Sequence, residues 1–430
     1  MRATLKALVE DGRTVGLVVG LLDSDGSRRV FAHGSPGSGA RPLNGESVFE
    51  IGSITKVFTG ILLADMVRRG EVELADPVAR FLPPGVRVPS RGGKEITLLD
   101  LATHRSGLPL LSDNLPEKDP RNPYADYTEE LLYEFLSGFE LPRDPGESFE
   151  YSNLGVGLLG HALALRAGTN FEALLQERVL TPMGMNHTAI TPTPGMRPRQ
   201  VRGHDRGGYP WPDFDWLTLH GAGALRSTVN DMLSFAAANL SEDTTAVHAA
   251  LRDALQMHRK STEGDHGTGL GWGIGVEGGR VFAGHDGRTY GYSSQLLLDL
   301  TGRRAVVVLT NSYSNGVDGL DAHLLDATVP LPAASAGLAV ATAYRTGGLD
   351  AAILRYRTLR ETAPDRWIFD ESALNTVGNW LLERGAAGDA IAIFRLNAEV
   401  FPESPGLHNS LGDAYSNAHL LNEALESYRT

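Results

Sequence analysis

Ser53-Ile54-Thr55-Lys56 decides the reading of this chain. Lysine is scarce in it. Among 39 basic residues, lysine stands only at Lys6, Lys56, Lys94, Lys118 and Lys260, and the rest are arginine. Arginine stays protonated, whereas a desolvated lysine can give up its proton and act as a base. Three residues after a serine on a helix, such an amine shares the serine's face. It can then take the hydroxyl proton and leave a nucleophile. Ser-x-x-Lys by itself also fits a solvated surface lysine, so the flanks have to decide. Val48-Phe49-Glu50-Ile51-Gly52 reads as a buried extended segment ending at a glycine. Val57, Phe58, Ile61, Leu62, Met66 and Val67 follow at helical spacing. Ser53 then stands at the start of a buried helix, where free N–H groups and the helix dipole favour developing negative charge. A lysine in that first turn opposes the dipole, which points to a functional reason for Lys56.

Outward from this motif the chain alternates strands and helices in blocks. Met1–Gly12 reads as a short charged helix. Thr14–Leu22 and Arg28–Ala32 flank an Asp25-Gly26 turn and predict a hairpin. Helical patterns follow at Val57–Arg69, Thr128–Leu136, Leu154–Ala167, Phe171–Val179 and Thr228–Asn239. Strand signals return at Arg280–Gly284, Tyr292–Leu300 and Arg304–Thr310, and the apolar run Ala305–Leu309 predicts a central strand. The expected fold is α+β: an antiparallel sheet built from both ends of residues 1–328, with a helical insertion over about 60–270. Residues 329–337 read as a linker.

The character then changes over 338–430. Gly378 and Gly412, Leu381 and Tyr415, Ala390 and Ala424, and Phe394 and Tyr428 are each 34 positions apart. This all-α region resembles tetratricopeptide repeats, with Ala352 and Tyr356 in an earlier irregular unit. The last helix reads as short, which predicts either a truncated chain or an end covered by a neighbouring surface. A packing role and a protein partner or self-association through 338–430 both remain open.

Composition removes several function classes. With 430 residues, 42% of them hydrophobic, the chain can fill more than one core. A net charge of −13 without a basic cluster argues against nucleic acid. The absence of cysteine excludes disulfides and thiol catalysis. No apolar run approaches roughly 18 residues, so no membrane span is expected. Met1–Gly12 does not read as a signal peptide, which leaves a cytoplasmic protein or one exported on a leader absent from this sequence.

Two further sites carry chemistry. In Glu150-Tyr151-Ser152-Asn153-Leu154-Gly155, a tyrosine beside an ammonium can serve as general base or acid. Lys56 is expected to lower its pKa. Asn153 offers an amide to a substrate carbonyl and to Lys56. The same stretch also fits an ordinary helix start with Ser152 or Asn153 as cap. In Gly284-His285-Asp286-Gly287-Arg288, the glycines suggest close approach of a ligand, and His285 can assist proton transfer or orient the tyrosine. The N–H groups of Arg288 and Ser53 are expected to face each other as an oxyanion hole. A plain turn with a surface histidine fits as well. Tyr209, Trp211, Phe214 and Trp216 either line a substrate mouth or pack a long loop, and Trp211 and Trp216 are specificity candidates together with Asp286.

Ser-x-x-Lys, Tyr-x-Asn and His-x-Gly in this order resemble the penicillin-recognising serine hydrolases. That grouping holds class C β-lactamases, D-alanyl-D-alanine carboxypeptidases, family VIII carboxylesterases and D-aminopeptidases. Leu101-Ala102-Thr103-His104-Arg105-Ser106-Gly107-Leu108-Pro109, Gly223-Ala224-Leu225-Arg226-Ser227-Thr228, Gly271-Trp272-Gly273 and Tyr290-Gly291-Tyr292-Ser293-Ser294 extend the resemblance over about residues 5 to 315. It implies acylation of Ser53, base and acid work shared by Lys56 and Tyr151, and substrate contacts at Asn153, His285 and Gly287. It implies oxyanion donors at Ser53 and Arg288, and no metal or cofactor. His104 reads as structural. β-Lactamases of this grouping usually carry Lys-Thr-Gly where His285-Asp286-Gly287 stands. Loss of that cation, and an Asp286 that faced the cleft, would weaken recognition of substrate carboxylates. The expected substrates are therefore small esters, amides or short peptides, with weak β-lactamase activity at most. A true β-lactamase or carboxypeptidase is the alternative within the class. A catalytically idle binding protein acting through its repeats is the alternative outside it. No Gly-x-Ser-x-Gly elbow or His-Glu-x-x-His cluster supports an α/β-hydrolase or a metalloenzyme.

Overall fold

The computed structural model describes residues 1–37, 41–116 and 118–429. An eight-stranded antiparallel sheet forms the floor of residues 1–330. Its strands in chain order are β1 (Gly16–Leu22), β2 (Arg28–Gly34), β3 (Arg259–Lys260), β4 (His266–Thr268), β5 (Gly273–Glu277), β6 (Arg280–Arg288), β7 (Ser293–Asp299) and β8 (Arg304–Thr310). Their spatial order is β2-β1-β8-β7-β6-β5-β4-β3. Everything between β2 and β3 is inserted between two ends of one sheet, and the predicted hairpin and central strand fall in place.

The apolar run of β8 is explained by burial on both faces. Ala305, Val307 and Leu309 face the large core of the helical insertion. Val306 and Val308 face a smaller core made with Leu5 and Leu8 of α1 (Arg2–Glu10) and with Leu320 of a short helix, Leu320–Leu325. The same alternation divides β1: Val18 and Leu22 point to the insertion, and Leu17, Val19 and Leu21 point away. Each such side chain contributes about 1.5–3 kcal/mol by leaving water.

Two helices of the insertion matter for the site. α2 (Thr55–Arg68) is buried from Thr55 to Met66, so it is enclosed on all sides rather than amphipathic, with Lys56 among the buried residues. α3 (Asn153–Ala167) starts on a cap in which the Ser152 hydroxyl accepts the Gly155 N–H at 2.8 Å. Small residues let these elements close up. A Cβ at Gly60 would stand 2.1 Å from the Leu270 carbonyl oxygen, and Gly160 and Gly221 meet backbone to backbone.

The C-terminal region is a stack of helices with its own core: α4 (Ala336–Thr362, kinked at Gly348), α5 (Glu371–Glu383), α6 (Ala387–Val400), α7 (Pro405–Asn417) and α8 (Leu421–Ser427). A Cβ at Gly378 would stand 2.5 Å from the Phe394 ring, and one at Gly412 would stand 2.4 Å from the Tyr428 ring. The same glycine-to-aromatic contact thus joins α5 to α6 and, 34 residues on, α7 to α8. The expected linker, 329–337, ends in an extended pair with Trp367–Ile368 and in the first residues of α4, where Ala334 and Ala336 are buried.

Candidate active site

Lys56 is the only one of the chain's lysines that lies inside. Lys6, Lys94, Lys118 and Lys260 are exposed, each within 3.5 Å of a carboxylate oxygen. Lys56 is 0% exposed. Among the described residues it has no acidic partner. Its Nζ lies 2.9 Å from Ser53 Oγ, 2.7 Å from Asn153 Oδ1 and 2.7 Å from the Ala222 carbonyl oxygen. Burial pushes the amine well below the ordinary lysine range. A neutral amine has two N–H groups and one lone pair. In the neutral form the two carbonyl oxygens take these N–H groups and the lone pair is left for the Ser53 hydroxyl; in the charged form Nζ donates to all three oxygens. Ala222 enters the site because the segment 220–225 is tied along α2: Thr59 Oγ1 donates to the Gly221 carbonyl at 2.8 Å, and the Leu225 N–H donates to Thr55 Oγ1 at 3.1 Å. The small-residue run around Gly221 and Gly223 is the only sequence signal for it.

Tyr151 precedes the α3 cap, with its ring centroid 4.9 Å from Lys56 Nζ. Burial pushes its phenol up to about 12, against the nearby Ser53 side chain, which lowers it. The sequence predicts a phenol acidified by a lysine ammonium. The structure overturns that, because the same burial that lowers the amine raises the phenol. His104 holds the ring. It stacks on Tyr151 at 4.4 Å, and its Nδ1 accepts the Ser152 N–H at 3.1 Å. It adopts a φ of 57°, rare for a residue with a side chain. Burial first, and then Lys56 and His285, hold the imidazole neutral. The structural reading of His104 therefore has a catalytic neighbour. Tyr124 completes this wall, with its hydroxyl 3.4 Å from Asn153 Nδ2. Nothing in the sequence marks it.

The third wall is β6. A Cβ at Gly287 would stand 2.0 Å from the Ile51 carbonyl oxygen. Gly52, at φ 49°, lies so close to Arg288 that a Cβ would stand 2.7 Å from its N–H nitrogen. Ser294 Oγ of β7 also donates to the Ile51 carbonyl at 2.8 Å. These contacts bring the backbone of Arg288 against the turn that carries Ser53. His285 shares the cleft face with Ala283, and its ring lies 6.3 Å from that of Tyr151. Its Nδ1 faces the Asp286 carbonyl at 2.6 Å, so the proton sits on Nδ1 and Nε2 is free to accept. Burial, then Lys56, lowers it to about 4, so it is no cation at neutral pH. Asp286 alternates to the other face with Phe282 and Arg288. There burial, Asp321 and Asp318 raise its carboxyl to about 6, and the Arg288 guanidinium is clamped on Asp318 at 2.6 and 2.7 Å. Strand alternation thus turns the Asp286 side chain away from the cleft face, although its charge still reaches the Tyr151 phenol.

A scan against protein families matches the Beta-lactamase family over residues 1–330. The chain belongs to this family. Among curated relatives, the D-alanyl-D-alanine-carboxypeptidase/endopeptidase AmpH of Escherichia coli K12 is 37% identical over 223 residues, covering 51% of this chain and 56% of that protein. The chain thus matches little more than half the length of that relative. A beta-lactamase of Escherichia coli K12 is 29% identical over 273 residues, covering 63% of this chain and 68% of its own. Among solved structures, the class C beta lactamase of Rhodobacter sphaeroides superposes with a TM-score of 0.65 at 24% identity, covering 75% of this chain and 98% of that one. This places the chain in the class C β-lactamase fold.

Within this Beta-lactamase family domain, the aromatic stretch does three different jobs. Tyr209 packs against the C-terminal helices. Trp216 is 4% exposed and stacks beneath Tyr124 at 4.6 Å, so of the two readings open from sequence it takes the packing one and supports the wall from behind. Trp211 and Tyr290, 6.2 Å apart, form the accessible edge, and buried Phe214 backs Tyr290 at 5.2 Å. Buried Glu50 fixes this edge from below. It accepts the Phe214 N–H at 2.9 Å and pairs with Arg226 at 3.2 Å. Burial raises its carboxyl to about 7 despite Arg226.

Proposed function

We propose that this protein is a serine hydrolase that forms an acyl-enzyme at Ser53 and turns over small esters and amides. The observation that carries the reading is Lys56: a fully buried amine with both N–H groups engaged and Ser53 Oγ at 2.9 Å. In acylation, Lys56 accepts the Ser53 proton as Oγ bonds to the substrate carbonyl carbon. The resulting oxyanion is held by the N–H groups of Ser53 and Arg288. As the carbonyl re-forms, the bond to the alcohol or amine breaks, and that group leaves with the proton relayed through the Tyr151 hydroxyl. Water then repeats the sequence on the ester and frees Ser53. Asn153 orients the lysine, and its amide N–H group serves the substrate.

Within this class, the neutral imidazole of His285 favours substrates that do not depend on a fixed cation. This supports ester or D-amino-acid peptide hydrolysis over β-lactam hydrolysis. A D-alanyl carboxypeptidase is the second reading. It gains from the outward-facing Asp286, which lessens a repulsion against substrate carboxylates, and from the relative named for that activity. Labelling with a fluorescent organophosphonate tests the class, with Ser53→Ala as the control. A label that depends on Ser53 is expected, and its absence would favour an idle binding protein. A panel of 4-nitrophenyl acetate, a D-alanyl-D-alanine peptide and nitrocefin then ranks the substrates, with nitrocefin expected last.

A further inference from the structure

One buried carboxylate joins the aromatic mouth to the C-terminal helices. Asp205 is 5% exposed and sits in the loop that runs from Gly203 to Trp216. Its Oδ1 accepts the N–H groups of Gly207 and Tyr209 at 3.0 and 2.9 Å, which closes the loop on itself. Its Oδ2 accepts from the Trp380 indole N–H at 2.9 Å and from Arg384 at 3.3 Å, both on α5 or its cap. The Arg384 guanidinium also covers the Tyr209 ring at 3.8 Å, and Arg345 of α4 donates to the Gly207 carbonyl at 3.1 Å. A Cβ at Gly207 would stand 2.1 Å from the Trp380 ring. A buried charge needs an opposite charge and a full set of hydrogen bonds, and Asp205 has both through α5.

The far end of the same loop builds the mouth. The Trp211 N–H donates to the Gly203 carbonyl at 2.8 Å, and the His204 N–H donates to the Gly291 carbonyl at 3.1 Å, next to Tyr290. The Tyr313 N–H donates to the His204 carbonyl at 2.8 Å, and Tyr313 meets Tyr290 edge-on at 5.9 Å. A second observation stands beside this clamp. A cavity of about 310 Å³ opens between the two regions, lined by Arg288 and Tyr313 on one side and by Ser372 and Thr376 of α5 on the other.

We propose that the C-terminal helices complete the substrate cleft. Asp205, Trp380 and Arg384 are positioning residues that set the Trp211–Tyr290 edge. Ser372 and Thr376 line a polar extension that takes the far end of an elongated, hydrogen-bonding substrate of peptide type. The inference rests on the Ser53 hydrolase reading and deepens it.

The test uses the full chain with Trp380→Phe, which keeps a ring but no N–H, with Arg384→Met, and with Ser372→Ala/Thr376→Val. Three readouts are taken: the rate of Ser53 labelling by a small organophosphonate, turnover of 4-nitrophenyl acetate, and the concentration of a D-alanyl-D-alanine-ended pentapeptide that halves the labelling rate. The peptide concentration is expected to rise about tenfold in each variant, a scale set by ångström-sized misplacement. Labelling without peptide and acetate turnover stay within about twofold. Two results would overturn the proposal: peptide protection that is unchanged or absent in the wild type, or an equal fall in all three readouts. A wild-type chain that takes no label at Ser53 overturns the hydrolase reading itself, and is thereby told apart from failure of the cleft proposal alone.

Discussion

The two ends of the cleft are built on opposite plans. At the Lys56 end, two buried helices and the 220–225 segment surround one amine, and each of its hydrogen-bond positions is filled by a short-range contact. At the mouth, Tyr290 meets Trp211 at 6.2 Å and buried Phe214 at 5.2 Å, and this edge is held from a distance by Glu50 and Asp205. The first plan fixes a reaction; the second fixes what reaches it. Damage at the first end should therefore abolish chemistry, and damage at the second should shift preference.

The largest effect expected is that of Lys56→Arg. It replaces the buried amine with a permanent cation that cannot act as a base, so Ser53 labelling should fall by about 10³-fold, and the melting temperature should fall with it because the guanidinium has no acidic partner there among the described residues. Retained labelling would mean the base lies elsewhere. Tyr151→Phe keeps the stack on His104 and loses the proton relay, and should slow acyl transfer by about 10²-fold. Stability against pH reports the same end independently. The folded-state pKa of Lys56 is depressed, so the unfolded chain binds more protons between that value and about 10.5. Wild type should gain on Lys56→Met as pH rises through that window, by about 1.4 kcal/mol per pH unit. A stability gap that is flat from pH 7 to 10 would place a charged amine in the fold.

At the other end, changes should be graded. His285→Lys restores a cation and should raise nitrocefin turnover relative to nitrophenyl acetate by about tenfold. No gain would mean the third wall does not read the carboxylate. The smallest effect is that of Asp286→Asn, whose carboxyl faces Asp318 and Asp321 rather than the cleft. Every substrate in the panel should stay within about twofold, and a selective gain for carboxylate substrates would show that the side chain does reach them.

The same contrast governs what the sequence reveals. Ser53, Lys56, Tyr151, Asn153 and His285 are legible because each is a chemically specific residue at a fixed offset within a local motif, and the structure brings these five together. The strands are legible because β1 and β8 are apolar on both faces. Ala222 is not, since it contributes only a backbone oxygen, which any residue could supply. Tyr124 and the ring stack of His104 depend on loops meeting across 29 and 47 positions of sequence. Trp216 looks like Trp211 in sequence, and only the stack beneath Tyr124 separates wall from edge. Asp286 could be placed only once the register of β6 against β7 fixed its face.

The scarcity of lysine makes the central claim directly measurable. With ¹⁵N incorporated only at lysine, Nζ signals arise from Lys6, Lys56, Lys94, Lys118 and Lys260 alone. Titration followed by NMR should show one signal that changes protonation well below the ordinary lysine range and is missing from Lys56→Met. A Lys56 signal that titrates near the ordinary value of about 10.4 would contradict the neutral base on which the mechanism stands.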